Sequence, residues 1–167
     1  MKIAKVGPLV PPDKMTEIAS VYKEVFSREP WNEVWAIDQI VADFKKEMLK
    51  IGAVCYLAQE QKKIVGFTWG YNIYVDEKID VYLDSPGLYD IIGPQKYLYI
   101  DEVAVLPEFQ NKGIGKSLVT SMCGDNNSLP VLLRTKDNSP AHKMFLGLGG
   151  KVVLNISRER VIMIIDP

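Results

Sequence analysis

Apolar residues along this chain recur in two rhythms, and the switches between them mark its elements. Met15, Ile18, Ala19, Tyr22, Val25 and Phe26 return at intervals of three and four, the period of an amphipathic helix. Ahead of them Pro11-Pro12-Asp13 reads as a helix start with Asp13 as its N-cap, and residues 2–6 as a short strand ended by Gly7-Pro8. The breaker Ser27-Arg28-Glu29-Pro30-Trp31-Asn32 separates this helix from a second, carried by Ile37, Ile40, Val41, Phe44 and Met48 and stopping near Gly52. Residues 53–58 and 64–74 read as strands of a hairpin across Gln59-Glu60-Gln61-Lys62-Lys63. Gly66 and Gly70 inside the second strand predict a bulge or the close approach of another backbone. Residues 75–96 keep no period and contain Pro86-Gly87 and Gly93-Pro94, which predicts a long irregular loop.

A strand then runs over 97–106, with Leu98, Ile100, Val103 and Val105 apolar, and Pro107, which has no N–H for a ladder, ends it. Past a glycine-bearing turn, Ile114, Leu118, Val119 and Met122 recur at helical spacing up to the stop Gly124-Asp125-Asn126-Asn127. Residues 130–134 form a further strand. Asn138-Ser139-Pro140 opens a helix, with Asn138 or Ser139 as cap, that continues through Ala141, Met144, Phe145 and Leu148 to Gly149-Gly150. Residues 151–156 and 161–165 close the chain as a hairpin around Ser157-Arg158-Glu159. The order is β-αα-βββ-α-β-α-ββ, a single mixed α/β domain over residues 1–167.

Composition narrows the function classes. Of 167 residues, 47% are apolar and 25% charged, as in an ordinary globular domain, and the net charge of −1 provides no field to recruit nucleic acid or a membrane surface. The longest apolar runs fall short of a bilayer span, and the first residues lack the apolar core of a signal peptide. Cys55 and Cys123 form no staple pattern and read as buried, reduced thiols, which fits a cytoplasmic setting. His142 stands alone beside Lys143, reads as solvated, and receives no role; no Cys/His/acid cluster suggests a metal.

The chemistry concentrates in Gln110-Asn111-Lys112-Gly113-Ile114-Gly115-Lys116-Ser117, where a hydrophobic strand passes into an amphipathic helix. The first turn of a helix leaves backbone N–H groups without intrahelical partners, and the macrodipole adds positive charge there. With glycine giving clearance and Lys112 and Lys116 adding charge, the turn suits a phosphate or pyrophosphate. A P-loop would need glycine at position 110 and a dinucleotide fingerprint would need it at 118; Gln110 and Leu118 stand there, which also weighs against a nucleotide-binding protein. What remains, Gln-x-x-Gly-x-Gly after Val103-Ala104-Val105-Leu106-Pro107-Glu108-Phe109, resembles the acetyl-CoA-binding core of the GCN5-related N-acetyltransferase (GNAT) superfamily. The element order fits that family's fold along essentially the whole chain.

The resemblance implies a mixed, mostly antiparallel sheet of six to seven strands flanked by helices, with a splay between strands four and five that takes the pantetheine arm of acetyl-CoA. It places backbone of Val103, Ala104 and Val105 on the pantetheine. The pyrophosphate falls on the turn made by Gln110, Asn111, Lys112, Gly113, Ile114, Gly115, Lys116 and Ser117. Asn138 occupies the place of a pantetheine-contacting asparagine, and Phe145 the place where relatives carry a tyrosine acid. Lacking a proton to give, Phe145 leaves the departing thiolate to solvent, to Tyr97 or Tyr99, or to release as such. Asp101 and Glu102 are the base candidates, Glu102 preferred; strand neighbours face opposite sides, so one of them points into the cleft. Trp31, Trp35 and Tyr71 are candidates for the acceptor wall, and the acids and tyrosines of 75–96 for a lid attracting a cationic amine.

The expected activity is direct acetyl transfer from acetyl-CoA to a primary amine of a small cationic molecule. The alternatives are a peptide or protein N-terminal or lysine acetyltransferase, and a non-catalytic acyl-CoA-binding module suggested by Phe145. The partner is thus a small-molecule amine, with neither nucleic acid nor membrane. A homodimer can form along the terminal strand pair of residues 152–165.

Overall fold

The computed structural model describes residues 1–7, 9–126 and 128–167; Pro8 and Asn127, assigned to a strand end and a helix stop, lie outside them. The elements are β1 Lys2–Val6, α1 Pro12–Phe26, α2 Ile37–Glu47, β2 Val54–Glu60, β3 Lys63–Tyr74, α3 Ile79–Tyr82 and α4 Leu88–Ile92. They continue with β4 Lys96–Val105, a 3-10 turn Pro107–Phe109, α5 Ile114–Gly124, β5 Val131–Lys136, α6 Pro140–Leu146, β6 Lys151–Asn155 and β7 Arg160–Ile165. The strands follow the order β1-β2-β3-β4-β5-β7-β6 in a seven-stranded sheet. Pairing is antiparallel for β1–β2, β2–β3, β5–β7 and β6–β7 and parallel for β4–β5, the mixed, mostly antiparallel sheet expected from the sequence.

Two compact units divide the chain: Met1–Tyr71 with Asp101–Asp125, and Asn72–Ile100 with Asn126–Pro167. In the first, the apolar stripe of α1 (Ile18, Val21, Val25, Phe26) packs with Phe44 and Met48 against Leu57, Phe67, Trp69 and Ala104 of the strands. Its aromatics form a graded stack: Phe67 and Trp69 lie 4.8 Å apart at 12°, and the Tyr22 ring lies 6.4 Å from Phe67 and 6.0 Å from Trp69, nearly parallel to both. Such pairs contribute ~0.5–1.5 kcal/mol each beyond burial. The end of α5 is tied to the sheet through Asp125, which accepts from Lys5 Nζ at 2.8 Å and from the Tyr56 hydroxyl. These bonds hold the Asp125 carboxyl below its ordinary range.

Close backbone approach is found at Gly66. A Cβ built there would lie 2.8 Å from the Ala104 carbonyl oxygen and 3.1 Å from Val105 Cγ2, so β3 meets the second half of β4 where a side chain does not fit. The pairing also shifts beside it: Ala58 pairs with Gly66 and Gln59 with Ile64, so Val65 is the extra residue of a bulge in β3, the strand where the sequence predicts one.

Several expectations need correction. Asp13 is not the N-cap of α1: Pro11 is, Pro12 begins the helix, and Asp13 sits in its first turn, where its charge meets the dipole. The β2–β3 hairpin is tighter than expected. Glu60 pairs with Lys63, leaving a two-residue loop in which Gln61 and Lys62 both take positive φ, 48° and 70°. Residues 75–96 are not irregular throughout. They fold into α3 and α4, burying Val75, Ile79, Leu83, Ser85 and Leu88. Asp80 accepts from Gly87 N at 2.7 Å and Tyr89 N at 2.8 Å, so this acid holds the fold of the segment together. Ser139, not Asn138, caps α6, accepting from His142 N at 3.0 Å. Cys55 is buried as expected but Cys123 only half-buried.

Candidate active site

Of the strand–turn–helix segment singled out by the sequence, the part from Asp101 through the turn and the helix lies in the first unit. β4 ends at Val105, the 3-10 turn Pro107–Phe109 redirects the chain, and Asn111 and Gly113 take left-handed backbone, φ 58° and 77°, before α5 begins at Ile114. Gly113 is the N-cap, and the first intrahelical bond runs from Ser117 N to Gly113 O at 2.9 Å. The N–H groups of Ile114, Gly115 and Lys116 therefore precede the helical ladder, with the dipole behind them. A Cβ on Gly113 would meet nothing within 4 Å. Protein packing therefore does not demand glycine here; the backbone conformation does, and an approaching anion gains the space.

The flanking side chains serve the turn. Gln110 Nε2 donates to the Val105 carbonyl at 2.9 Å, clamping the turn to the end of the strand. Lys112 Nζ folds back to the Glu108 carbonyl at 2.9 Å and lies 5.1 Å from the Phe109 ring centroid. Asn111, Lys116 and Ser117 are exposed at the open side of the turn, and Ile114 is buried beneath it. Val103 and Val105 are partly exposed, while Ala104 between them is buried against β3.

The two carboxylates just ahead of this segment have different partners. Asp101 Oδ2 accepts from the Trp69 indole at 3.1 Å. The backbone carbonyl of Glu102 accepts from Thr68 Oγ1 at 2.8 Å, and its side chain faces α1, where the Tyr22 hydroxyl lies 3.4 Å from Oε1. The same hydroxyl lies 3.3 Å from Oε2 of Glu33, which also accepts from the Trp35 indole at 2.9 Å. α1 and the loop after it thus meet β4, which lies far along the chain. Burial, then the charges of Glu102 and Glu33, push the Tyr22 phenol well above its ordinary range, so it keeps its proton and acts as a donor.

Of the acceptor-wall candidates, Trp35 is 40% exposed and tied to Glu33. Trp31 is half-buried, edge-on to Phe26 at 5.6 Å, and packs on the core. Tyr71 is only 3% exposed, with Lys50 Nζ 3.9 Å over its ring. The sequence reading missed Tyr22 and Glu33 as site residues. Tyr22 was absorbed into the apolar stripe of its helix, although a tyrosine in such a stripe needs a partner for its hydroxyl.

Asn138 and Phe145 belong to the second unit. Asn138 has φ 59°; its N–H donates to Asp137 Oδ1 at 2.9 Å and His142 Nδ1 at 3.0 Å, and its amide bonds Asp137 Oδ2 at 3.1 Å. Phe145 is 2% exposed and lies under Gly150, whose N–H bonds the Phe145 carbonyl at 2.9 Å. His142, expected in solvent, is 7% exposed: the turn before α6 folds over it to make these bonds, and its Nε2 is buried without a hydrogen-bond partner. The Tyr97 hydroxyl is buried with Gln95 as a partner, and burial pushes its phenol up. Among the described residues no group of three His, Cys, Asp or Glu is placed to hold a metal, and no helix is long and apolar enough to cross a membrane.

The strand order and the β4–turn–α5 geometry define a class, and comparison with known proteins agrees. The chain belongs to the acetyltransferase (GNAT) family, whose model matches residues 14–149. Membership makes it an N-acetyltransferase with acetyl-CoA as the cosubstrate. Among curated proteins nothing matches. Among solved structures, a protein from Pyrococcus horikoshii OT3 aligns at TM-score 0.74 and 22% identity, covering 98% of this chain and 96% of that one. An aminoglycoside 6'-N-acetyltransferase complexed with coenzyme A aligns at 0.68 and 15% identity, covering 99% and 96%. The ribosomal-protein-S18-alanine N-acetyltransferase from Escherichia coli aligns at 0.63 and 11% identity, covering 98% and 93%. These likenesses are likenesses of fold, and the acceptors in the two enzyme names differ in kind.

Proposed function

We propose that residues 1–167 act as one acetyltransferase domain that moves the acetyl group of acetyl-CoA directly to a primary amine of a small cationic molecule. The observation that carries this reading is the continuity of the site within one unit: Glu102, the strand end at Val105 and the opening turn of α5 follow one another along 16 residues of chain, from Glu102 to Ser117. The pyrophosphate rests on the N–H groups spanning Lys112 to Ser117, and the pantetheine runs along Val103 and Val105. Asn138 and Phe145 are assigned to the cofactor by resemblance alone.

In the reaction, Glu102 takes a proton from the ammonium, directly or through a water. The free amine then attacks the thioester carbonyl; the nitrogen of the adduct loses its second proton to water, the C–S bond breaks, and the sulfur leaves as CoA thiolate. A backbone N–H such as that of Val105 faces the oxygen as it becomes negative. Holding the two reactants together supplies much of the rate, since well-oriented groups gain ~7–11 kcal/mol of barrier. Phe145 gives no acid, so the thiolate takes its proton from solvent.

Preference for a cationic acceptor rests on Glu33 and Glu102, which converge on one hydroxyl beside the partly exposed Trp35. Of the acids of 75–96, Asp80 gives it no support, because it is engaged inside its own segment. Release of CoA thiol should be measured with small diamines, uncharged amines and peptide N-termini as acceptors. The reading expects kcat/KM to be highest for diamines. Peptides as the best acceptors would overturn it, and a protein that binds CoA but releases no thiol with any acceptor would favour the acyl-CoA-binding module.

A further inference from the structure

The hydroxyl of Tyr22 sits between two carboxylates that the chain brings from far apart. It lies 3.3 Å from Glu33 Oε2 and 3.4 Å from Glu102 Oε1, and both distances are long for an O–H···O bond. A phenol has one proton to donate, so it can shorten toward one carboxylate only by leaving the other. The surroundings fix this choice in place. The Tyr22 ring packs against Phe26, 4.3 Å away and tilted by 38°, and lies nearly parallel to Phe67 and Trp69, so the hydroxyl is aimed by packing. Glu33 is held by the Trp35 indole at 2.9 Å, and the loop carrying it is pinned by Glu33 N to the Phe26 carbonyl at 2.8 Å. Tyr22 and Glu33 therefore each have a second, independent restraint.

We propose that Tyr22 is a positioning residue for the base: its hydroxyl, shared between Glu33 and Glu102, sets how readily Glu102 gives up and takes a proton. This rests on the reading of Glu102 as the base. Tyr22 keeps its own proton throughout, because burial and the two flanking charges hold the phenol protonated. With its proton turned to Glu102, the carboxylate form is favoured. With it turned to Glu33, Glu102 is released to accept the ammonium proton. Glu33 acts in the opposite sense to Tyr22, since a second negative charge favours protonation of Glu102. Among the groups facing the Glu102 side chain are the Tyr22 phenol of α1 and, beyond it, Glu33 of the following loop. Asp101 on β4 is engaged by Trp69.

The two substitutions therefore have opposite signs. Tyr22→Phe keeps the ring and its stacking, removes a donor from the carboxylate, and raises the titration midpoint of Glu102. Glu33→Gln removes the like charge, leaves Tyr22 free to donate to Glu102, and lowers the midpoint. Each shift should be roughly half a unit or more. The measurement is a carbon-13 NMR titration of glutamate-labelled full-length protein, with Glu102→Gln assigning the resonance and CoA affinity reporting on the fold. Opposite shifts support the proposal; shifts of the same sign, or none, overturn it. If Tyr22→Phe fails to fold, the loop variant Glu33→Gln alone decides by the sign of its shift. The readout needs no turnover, so failure of Glu102 as the base appears separately. In that case the midpoints move as stated while the acid limb of kcat/KM stays where it is.

Discussion

At the scale of single residues, the proposed site separates groups that would act through backbone from groups that would act through side chains. Gly113 belongs to the first kind. Its φ of 77° and the open space around its missing Cβ mean that alanine would clash with nothing in the protein. Gly113→Ala should cost about 1–2 kcal/mol in stability through the left-handed conformation, and Gly113→Asn less, since asparagine tolerates that region. Both should weaken CoA binding by calorimetry, because either side chain enters the space an anion would use. An asparagine variant that binds CoA as wild type would show that clearance at this position is irrelevant. Glu102 is of the second kind, and its surroundings were only half legible in the sequence. The acid pair before the motif could be named from position alone. The partners of Glu102 could not, because Tyr22 and Glu33 lie 80 and 69 residues upstream and only tertiary packing brings them in. Three aromatics were read as an acceptor wall from residue type. Folding buries Tyr71 and half-buries Trp31 and leaves Trp35 exposed, a distinction that a hydrophobic pattern does not carry.

At the scale of elements, β3 and β4 carry the site, and their contact at Gly66 controls where Glu102 stands. The Ala104 carbonyl 2.8 Å from the position of an added Cβ is backbone and cannot turn aside. Gly66→Ala should therefore push the second half of β4 away. The expected loss is about 1–3 kcal/mol, the range for overpacking, read as a lower urea midpoint, with a disproportionate fall in kcat. An alanine variant as stable and as active as wild type would contradict this. The long helices and most strand centres were legible because their apolar periods are regular and their ends are punctuated by proline and glycine. The misreadings fall where that punctuation is indirect. Gln61-Lys62 makes a two-residue turn without the usual Asn-Gly signal, its register fixed by the pairing of Glu60 with Lys63. Between 75 and 96, α3 and α4 are too short for a period to show, and Asp80 organises them through bonds to Gly87 and Tyr89 that no local pattern announces. His142 went the same way, drawn inward by the cap of a seven-residue helix.

At the scale of the whole molecule, binding acetyl-CoA should stabilise the folded state by mass action. At 100 times its dissociation constant, CoA adds about 2.7 kcal/mol, which for a chain of this size raises Tm by roughly 5–11 °C. ATP at the same concentration should shift it far less, since the turn lacks the spacing of a P-loop. Equal shifts with both ligands would point to a general nucleotide site instead. The claim on which the account depends most is that this molecule transfers acetyl groups with Glu102 as the base. The most direct measurement compares CoA thiol release by wild type and Glu102→Gln at saturating acetyl-CoA with the best amine of the panel. The account predicts turnover by wild type, a fall of about 10²–10⁴-fold in the variant, and unchanged CoA affinity. A variant as fast as wild type would contradict it.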